Sequence, residues 1–364
     1  MSVPLFDPQG PLRPLRAELR AAVHRVLDSG AFILGPEVEA FEREFAAYLG
    51  TGHAVGVANG TEAITIALRA LGVGPGDDVV VPSWTFWASA EAIPPSGARP
   101  VFCDVDEQTL LATPETVRAA LTPQTKAAVI PHLFGNVADV AAIEALGIPV
   151  VEDSAQAAGS VAPDGRRPGA IASIGTFSFY PSKNLGAFGD GGAVVTADRE
   201  LAERVRMLRF HGSRDKVDYE AVGYNSRLDE LQAAVLRVML PALDRWSEHR
   251  RQAGLHYDEL LDGLCRTPVA AQGARVAWHL YMVRVAAGAA TVDALRRRGV
   301  EARQYYATPI HAQRPMRKFA PADPQTALPV TLAAAREHLA LPISAVITPD
   351  QQREVAAALR AVVA

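Results

Sequence analysis

The sequence predicts an α/β protein. Its large domain holds a mainly parallel seven-stranded sheet between helices, and a smaller α+β domain follows at the C-terminal end. Three observations lead there. Short, continuous apolar runs recur through the first half of the chain, each too brief for a helix. Helical stretches separate these runs, which is the pattern of a buried parallel sheet with crossover helices. After Arg199 the pattern changes to longer amphipathic segments.

In chain order, Leu15 to Leu27 carries leucine or valine every fourth residue and predicts a helix. Gly35-Pro36 opens a second, PEVEAFEREFAAYL, with proline at the first helical position. The strands follow as HAVGVA, DDVVVPS, RPVFCDV, AAVIPHLFG and IPVVED, with helices such as Thr61 to Gly72 and Thr113 to Leu121 between them. IGTFSFYP and GGAVVT supply two more strands. Arg227 to Leu240 predicts a long helix that Pro241 should end or kink. HLYMVRV then reads as a strand, TVDALRRRG as a helix and PDQQREVAAALRAVV as a closing helix. The expected division falls near residue 245, into a domain of residues 1–245 that includes the N-terminal helical segment and one of residues 246–364.

Composition removes several functions. Hydrophobic residues make up 49% and charged residues 21%, with a net charge of −4 and both signs interleaved. Nucleic acid and anionic membranes need a concentrated basic surface, so neither is expected as a partner. No run approaches the roughly 18 apolar residues of a membrane span. The start MSVPLFDPQG lacks a signal peptide's charged and apolar parts, which predicts a cytoplasmic protein. Two distant cysteines, Cys103 and Cys265, form no disulfide framework, and nine histidines show no metal-binding spacing.

The chemistry concentrates where strands end. Asp153 closes the apolar run IPVVED, at the sheet edge where open α/β sheets bind ligands. Alone it would serve equally as a helix cap. Lys183, in SFYPSKNLGAFGDGG, stands just past another strand; alone it would be an ordinary solvated lysine. Together they match the needs of pyridoxal phosphate (PLP). A desolvated lysine with a lowered pKa can hold the aldehyde as a Schiff base, and a carboxylate keeps the pyridine nitrogen protonated. Asn59-Gly60-Thr61 leads from a strand into a helix, so its N–H groups and the Thr61 hydroxyl could receive a phosphate, with Ser178 as a further donor. The same turn also fits a simple capped helix. Trp84, Phe86 and Trp87 offer an aromatic to stack on the ring, or plain core.

Taken in order, NGTEA, PSWTFWASAEAI, EDSAQAAGS, SFYPSKNLGAFGDGGAVVT and GYNSRLDELQAAVLRVML resemble the DegT/DnrJ/EryC1/StrS family. These are fold-type I, PLP-dependent aminotransferases that act mainly on nucleotide-linked keto-sugars. The resemblance implies that Lys183 is the Schiff-base lysine and proton carrier, that Asp153 pairs with the ring nitrogen and that Phe86 stacks. It places Gln156 by the cofactor's 3-hydroxyl, and Gly60, Thr61, Glu62 and Ser178 in the phosphate cup. Asn225 would reach the phosphate of a neighbouring subunit, which implies a homodimer with shared sites. Relatives that replace the lysine with histidine are sugar dehydratases; Lys183 favours amino transfer, with L-glutamate the expected donor and no metal required.

The motifs are most similar to members that aminate C3 of dTDP-linked keto-6-deoxyhexoses, as in amino-sugar or antibiotic biosynthesis. Tyr305, Tyr306, His311 and Arg227 are the substrate-pocket candidates, although YYATPIHAQ departs from the family's usual HYPTPIHxQ. His311 reads equally as a satisfied loop histidine. Only Arg227, Arg303 and His211 offer themselves for a diphosphate. An aminocyclitol aminotransferase and a non-catalytic PLP-binding regulator are the two other readings.

Overall fold

The computed structural model describes residues 3–363. Seven short strands form one sheet: β1 (His53–Val57), β2 (Asp78–Pro82), β3 (Arg99–Cys103), β4 (Thr125–Pro131), β5 (Val150–Asp153), β6 (Ile174–Ser178) and β7 (Gly192–Thr196). Their spatial order is β1-β7-β6-β5-β4-β2-β3, and β7 alone runs antiparallel to its two neighbours. The expected seven-stranded, mainly parallel sheet is therefore present. Its strands are buried almost throughout, which is why they read as continuous apolar runs rather than as alternating ones.

Helices cover both faces. The predicted N-terminal pair is α1 (Arg16–Ser29) and α2 (Pro36–Leu49), the latter with proline in its first turn and Gly50 in the left-handed conformation at its end. Phe45 of α2 packs edge-on against Phe177 and Phe179, with ring centroids 4.9 and 5.4 Å apart. On another part of the sheet lies α3 (Gly60–Ala70), whose Ile64, Ile66 and Leu68 are fully buried. The start of α2 is held from far along the chain. The buried Glu230 carboxylate accepts the N–H groups of Gly35, Glu37 and Val38 at 2.8–2.9 Å.

The helix expected from Arg227 begins at Glu230 and runs to Met239. Arg227 to Asp229 are not helical; Ser226 just before them donates its Oγ to no helix turn but accepts from Ala58 N–H, tying this approach to the end of β1. Pro241 ends that helix in a single tight turn, and an 18-residue helix, Leu243–Leu260, restarts at once. Residue 245, the expected division, thus falls inside an unbroken helix. Beyond it, β8 (Tyr281–Arg284) and β9 (His338–Leu341) pair antiparallel, beside helices Gly288–Arg297 and Pro349–Val363. Their core contains Tyr257, Tyr281, Leu339 and Leu359 together with Val3, so the start of the chain packs on its C-terminal part. Val3 bridges to Val300, and Leu5 N–H donates to Glu301 at 3.1 Å.

Candidate active site

The C-terminal ends of the parallel strands bring the predicted residues to one edge of the sheet. Because β7 runs the other way, its first residue lies at this same edge. A Cβ on Gly192 would come within 2.5 Å of the Asn59 backbone, so only glycine lets β7 pass the turn into α3. Asn59 caps α3 by accepting the Glu62 N–H at 2.9 Å. Among the described residues the Gly60 and Thr61 N–H groups have no acceptor, so a helix start is left open to an anion. Ser178, at the end of β6, faces it: a Cβ on Gly60 would meet the Ser178 Cβ at 2.7 Å. Glu62, expected in the same cup, has one carboxylate oxygen buried with no partner.

Asp153 ends β5 and is 8% exposed. Its carboxylate accepts the Ser89 hydroxyl at 2.7 Å and the Ala155 N–H at 3.2 Å. Lys183 lies on the loop after β6. Its own N–H is bonded to Tyr180 O at 2.9 Å, and the next residue, Asn184, ties the loop to Ala277 O at 2.8 Å. Burial pushes the Lys183 amine down to about 8, while the Asp153 charge opposes the shift. The lysine Nζ lies 6.0 Å from the Phe86 ring centroid. Phe86 is half exposed, so one flank of the ring is free.

Gln156 is fixed at both ends. It accepts the Phe134 N–H at 2.7 Å and donates to the Tyr306 hydroxyl at 3.2 Å. Tyr306 lies 6.1 Å from Phe86 between ring centroids, and burial raises the pKa of its phenol. Tyr305 packs edge-on against Tyr306, with Arg303 beside it. His311 is elsewhere in its bonding: it is buried, with Nδ1 2.7 Å from the Ser83 hydroxyl, and burial lowers its pKa. Asn225 is exposed and bridges to Phe210 at the end of the helix Arg199–Arg209; His211 is exposed beside it. Arg227 is half-buried and makes no hydrogen bond or ion pair within the chain among the described residues.

Two residues near the lysine escaped sequence reasoning. Ser89 sits 64 positions from the aspartate it holds, on the short helix Ala88–Glu91, and no local pattern marks it. His279 is buried, with its Nδ1 unpartnered; burial above all, then the Lys183 and Arg250 charges, keep it neutral. Among the described residues no group of three or more His, Cys, Asp or Glu side chains is placed to hold a metal, and no helix is long and apolar enough to cross a membrane.

The pattern of the DegT/DnrJ/EryC1/StrS aminotransferase family matches residues 14–360. The chain belongs to that family. The dTDP-3-amino-3,4,6-trideoxy-alpha-D-glucose transaminase of Streptomyces venezuelae is 46% identical, over 98% of this chain and 95% of that one. A pleiotropic regulatory protein of Geobacillus stearothermophilus is 41% identical, over 98% and 97%. Among solved structures, that of S. venezuelae DesV in complex with a ketimine intermediate superposes with a TM-score of 0.95, at 46% identity over 99% of this chain and 98% of that one. The seven-stranded sheet and its helices are the fold-type I architecture of these aminotransferases.

Proposed function

We propose that this transaminase moves an amino group from an amino acid, L-glutamate, to the keto carbon of a nucleotide-linked deoxysugar, using PLP and its amine form PMP. The observation that carries the reading is the pairing of Lys183 and Asp153. A lysine whose amine is pushed down to about 8 shares one sheet edge, and an electrostatic interaction, with a buried carboxylate.

The residues present fit the cofactor. The open N–H groups of Gly60 and Thr61, with the Ser178 hydroxyl, would hold its phosphate. Asp153, turned by Ser89, would face the ring nitrogen, and Phe86 would lie against the ring. Bound there, PLP supplies an electron sink that lets a proton leave the carbon bearing the amine. Lys183 does the proton work. Near neutral pH a useful fraction of its amine is unprotonated, so Nζ can take the proton from the donor's Cα. In the second half-reaction the same Nζ returns a proton to the sugar carbon. Gln156 holds Tyr306, whose ring lies 6.1 Å from that of Phe86, and we place the sugar by these rings, with Tyr305 and Arg227 as its further contacts. A homodimer belongs to the same proposal. Phe86, Tyr180 and Phe188 expose apolar rings around the lysine loop, and a second copy would cover them while bringing its Asn225 to the phosphate.

The test is spectroscopic. The cofactor absorbance of the holoenzyme should shift on adding L-glutamate and return on adding a nucleotide keto-sugar. Run in reverse, amino-sugar nucleotides should convert the PLP form and aminocyclitols should not; the opposite preference would favour the aminocyclitol reading. A protein that binds PLP but responds to no amino donor would be a regulator, and the enzyme reading would fail.

A further inference from the structure

Two buried residues at the end of β2 hold the stretch Tyr306 to His311 at both of its ends. Ser83 and Trp84 follow β2 directly and are fully buried, and the Ser83 N–H is bonded to Cys103 O of β3 at 3.0 Å. Their partners lie 222 and 228 positions along the chain. The Trp84 indole N–H donates to the Tyr306 carbonyl at 3.2 Å. Ser83 takes the other end with three bonds. Its carbonyl accepts the Ile310 N–H at 2.9 Å, and its Oγ accepts the His311 N–H at 3.3 Å. The same hydroxyl lies 2.7 Å from His311 Nδ1 and donates to it, which leaves the ring proton on Nε2. Between the two anchors Ala307 and Thr308 are exposed. Aromatic packing supports the first anchor. Trp84 meets Phe134 edge-on at 5.5 Å, and the Phe134 ring stacks on Tyr306 at 6.2 Å between centroids. Gln156, which bonds the Phe134 N–H and the Tyr306 hydroxyl, closes this circle of contacts. The next residues of the segment serve the other side of the site. The Thr85 hydroxyl lies 3.1 Å from that of Ser89, which bonds Asp153, and Phe86 stands beside Lys183.

We infer that Ser83 and Trp84 are positioning residues for the amino acceptor: they fix the Tyr306–His311 loop against the edge that carries Lys183, with His311 as a fastening and not a substrate contact. The inference rests on the function proposed above and deepens it, because it says what holds the residues that face the sugar. A loop tied at both ends has lost most of its freedom before a substrate arrives, so that ordering is not charged against binding. Loosening either anchor returns the cost to the acceptor. The groups that act on the amino donor hang from other elements, Asp153 from β5, Ser178 from β6 and Lys183 from the loop after it. The donor's half of the reaction is therefore spared.

Trp84→Phe keeps an aromatic ring and removes the N–H. His311→Asn keeps an acceptor near the Nδ1 position, His311→Gln keeps a polar group near Nε2, and His311→Leu keeps neither. The PLP form of each holoenzyme is mixed with L-glutamate or, for the sugar half-reaction in reverse, with a dTDP-linked 3-amino-6-deoxyhexose, and the cofactor absorbance is followed. Trp84→Phe and His311→Leu should each raise the half-saturating sugar concentration roughly tenfold, the worth of one anchoring hydrogen bond, with the glutamate response unchanged. His311→Asn should restore the sugar response and His311→Gln should not. The opposite pattern would make Nε2 a substrate contact and overturn the fastening role. Equal losses with both amines would mean general damage to the site and would overturn the inference as well. A second measurement needs no substrate. Hydrogen exchange of the Tyr306–His311 peptide should quicken in Trp84→Phe and in His311→Leu, and exchange at the unaltered rate in both would overturn the inference. The His311 variants keep the test open should loss of the buried indole N–H unsettle the fold. If the unaltered protein answers no amino donor, the proposed function fails, and the exchange rates alone then decide whether Ser83 and Trp84 fix the loop.

Discussion

The Ser89 hydroxyl donates to the Asp153 carboxylate at 2.7 Å, joining the short helix after β2 to the end of β5. The bond turns a buried carboxylate toward the edge of the sheet where Lys183 lies. Ser89→Ala should therefore leave Asp153 in place but free to rotate. Cofactor affinity should fall by roughly tenfold, the worth of one hydrogen bond to a charged group. Equilibrium dialysis of the variant against PLP measures it. Unchanged affinity would show that Ser89 merely fills space.

Lys183 gives a prediction with a sign. Its pKa is about 8 in the folded chain against an ordinary 10.5, lowered by burial. Below pH 8 both folded and unfolded chains carry the proton, and the burial penalty is fully present. Between about 8 and 10.5 the unfolded chain binds more protons, so this contribution to stability improves as pH rises. The cofactor-free protein should thus gain thermal stability relative to Lys183→Met across that window. Parallel melts at pH 7.5 and 10 test it; a constant gap would show that the amine is not desolvated. The same variant should lose the cofactor's covalent absorbance band.

The Gly60–Ser178 contact leaves no room for a methyl group. Gly60→Ala would place a Cβ 2.7 Å from Ser178 Cβ and 3.2 Å from its Cα, forcing the start of α3 away from β6. Since those two elements would frame the phosphate, PLP affinity should drop by at least about tenfold while the fold persists. Circular dichroism beside a PLP titration distinguishes a local from a global effect.

Glu230 carries stability rather than chemistry. Replacing it with alanine removes the acceptor of three N–H groups at the start of α2. The cost should be about 3 kcal/mol, because buried donors lose their partner outright. Urea unfolding measures it, and a loss under about 1 kcal/mol would mean that water replaces the carboxylate.

The sheet was readable because its strands are buried on both faces and separated by helices, so their apolar runs stand out. The candidate site's edge was readable because Asp153 closes a strand, and Asn59-Gly60-Thr61 and Lys183 lie within a few residues of one. The start of the Glu230–Met239 helix was misjudged by three residues, since Arg227 to Asp229 have helical composition but Asp229 bridges to Ile33 and the Glu230 N–H is bonded to Phe32 O, far back in the chain. His311 could be read two ways from sequence; the structure gives its ring a buried partner in Ser83, 228 residues away.

By itself, then, the amino-acid sequence determined the order of elements and marked Lys183 and Asp153 as candidates at or just past strand ends, because local periodicity and strand ends depend on neighbouring residues alone. Only tertiary structure decided what surrounds that pair. Ser89 reaches Asp153, Gln156 reaches Tyr306, and α1 faces the lysine loop across a cavity, all through contacts between residues more than sixty positions apart. Such partners leave no periodic trace, because packing brings them together only after the sheet and its helices have formed.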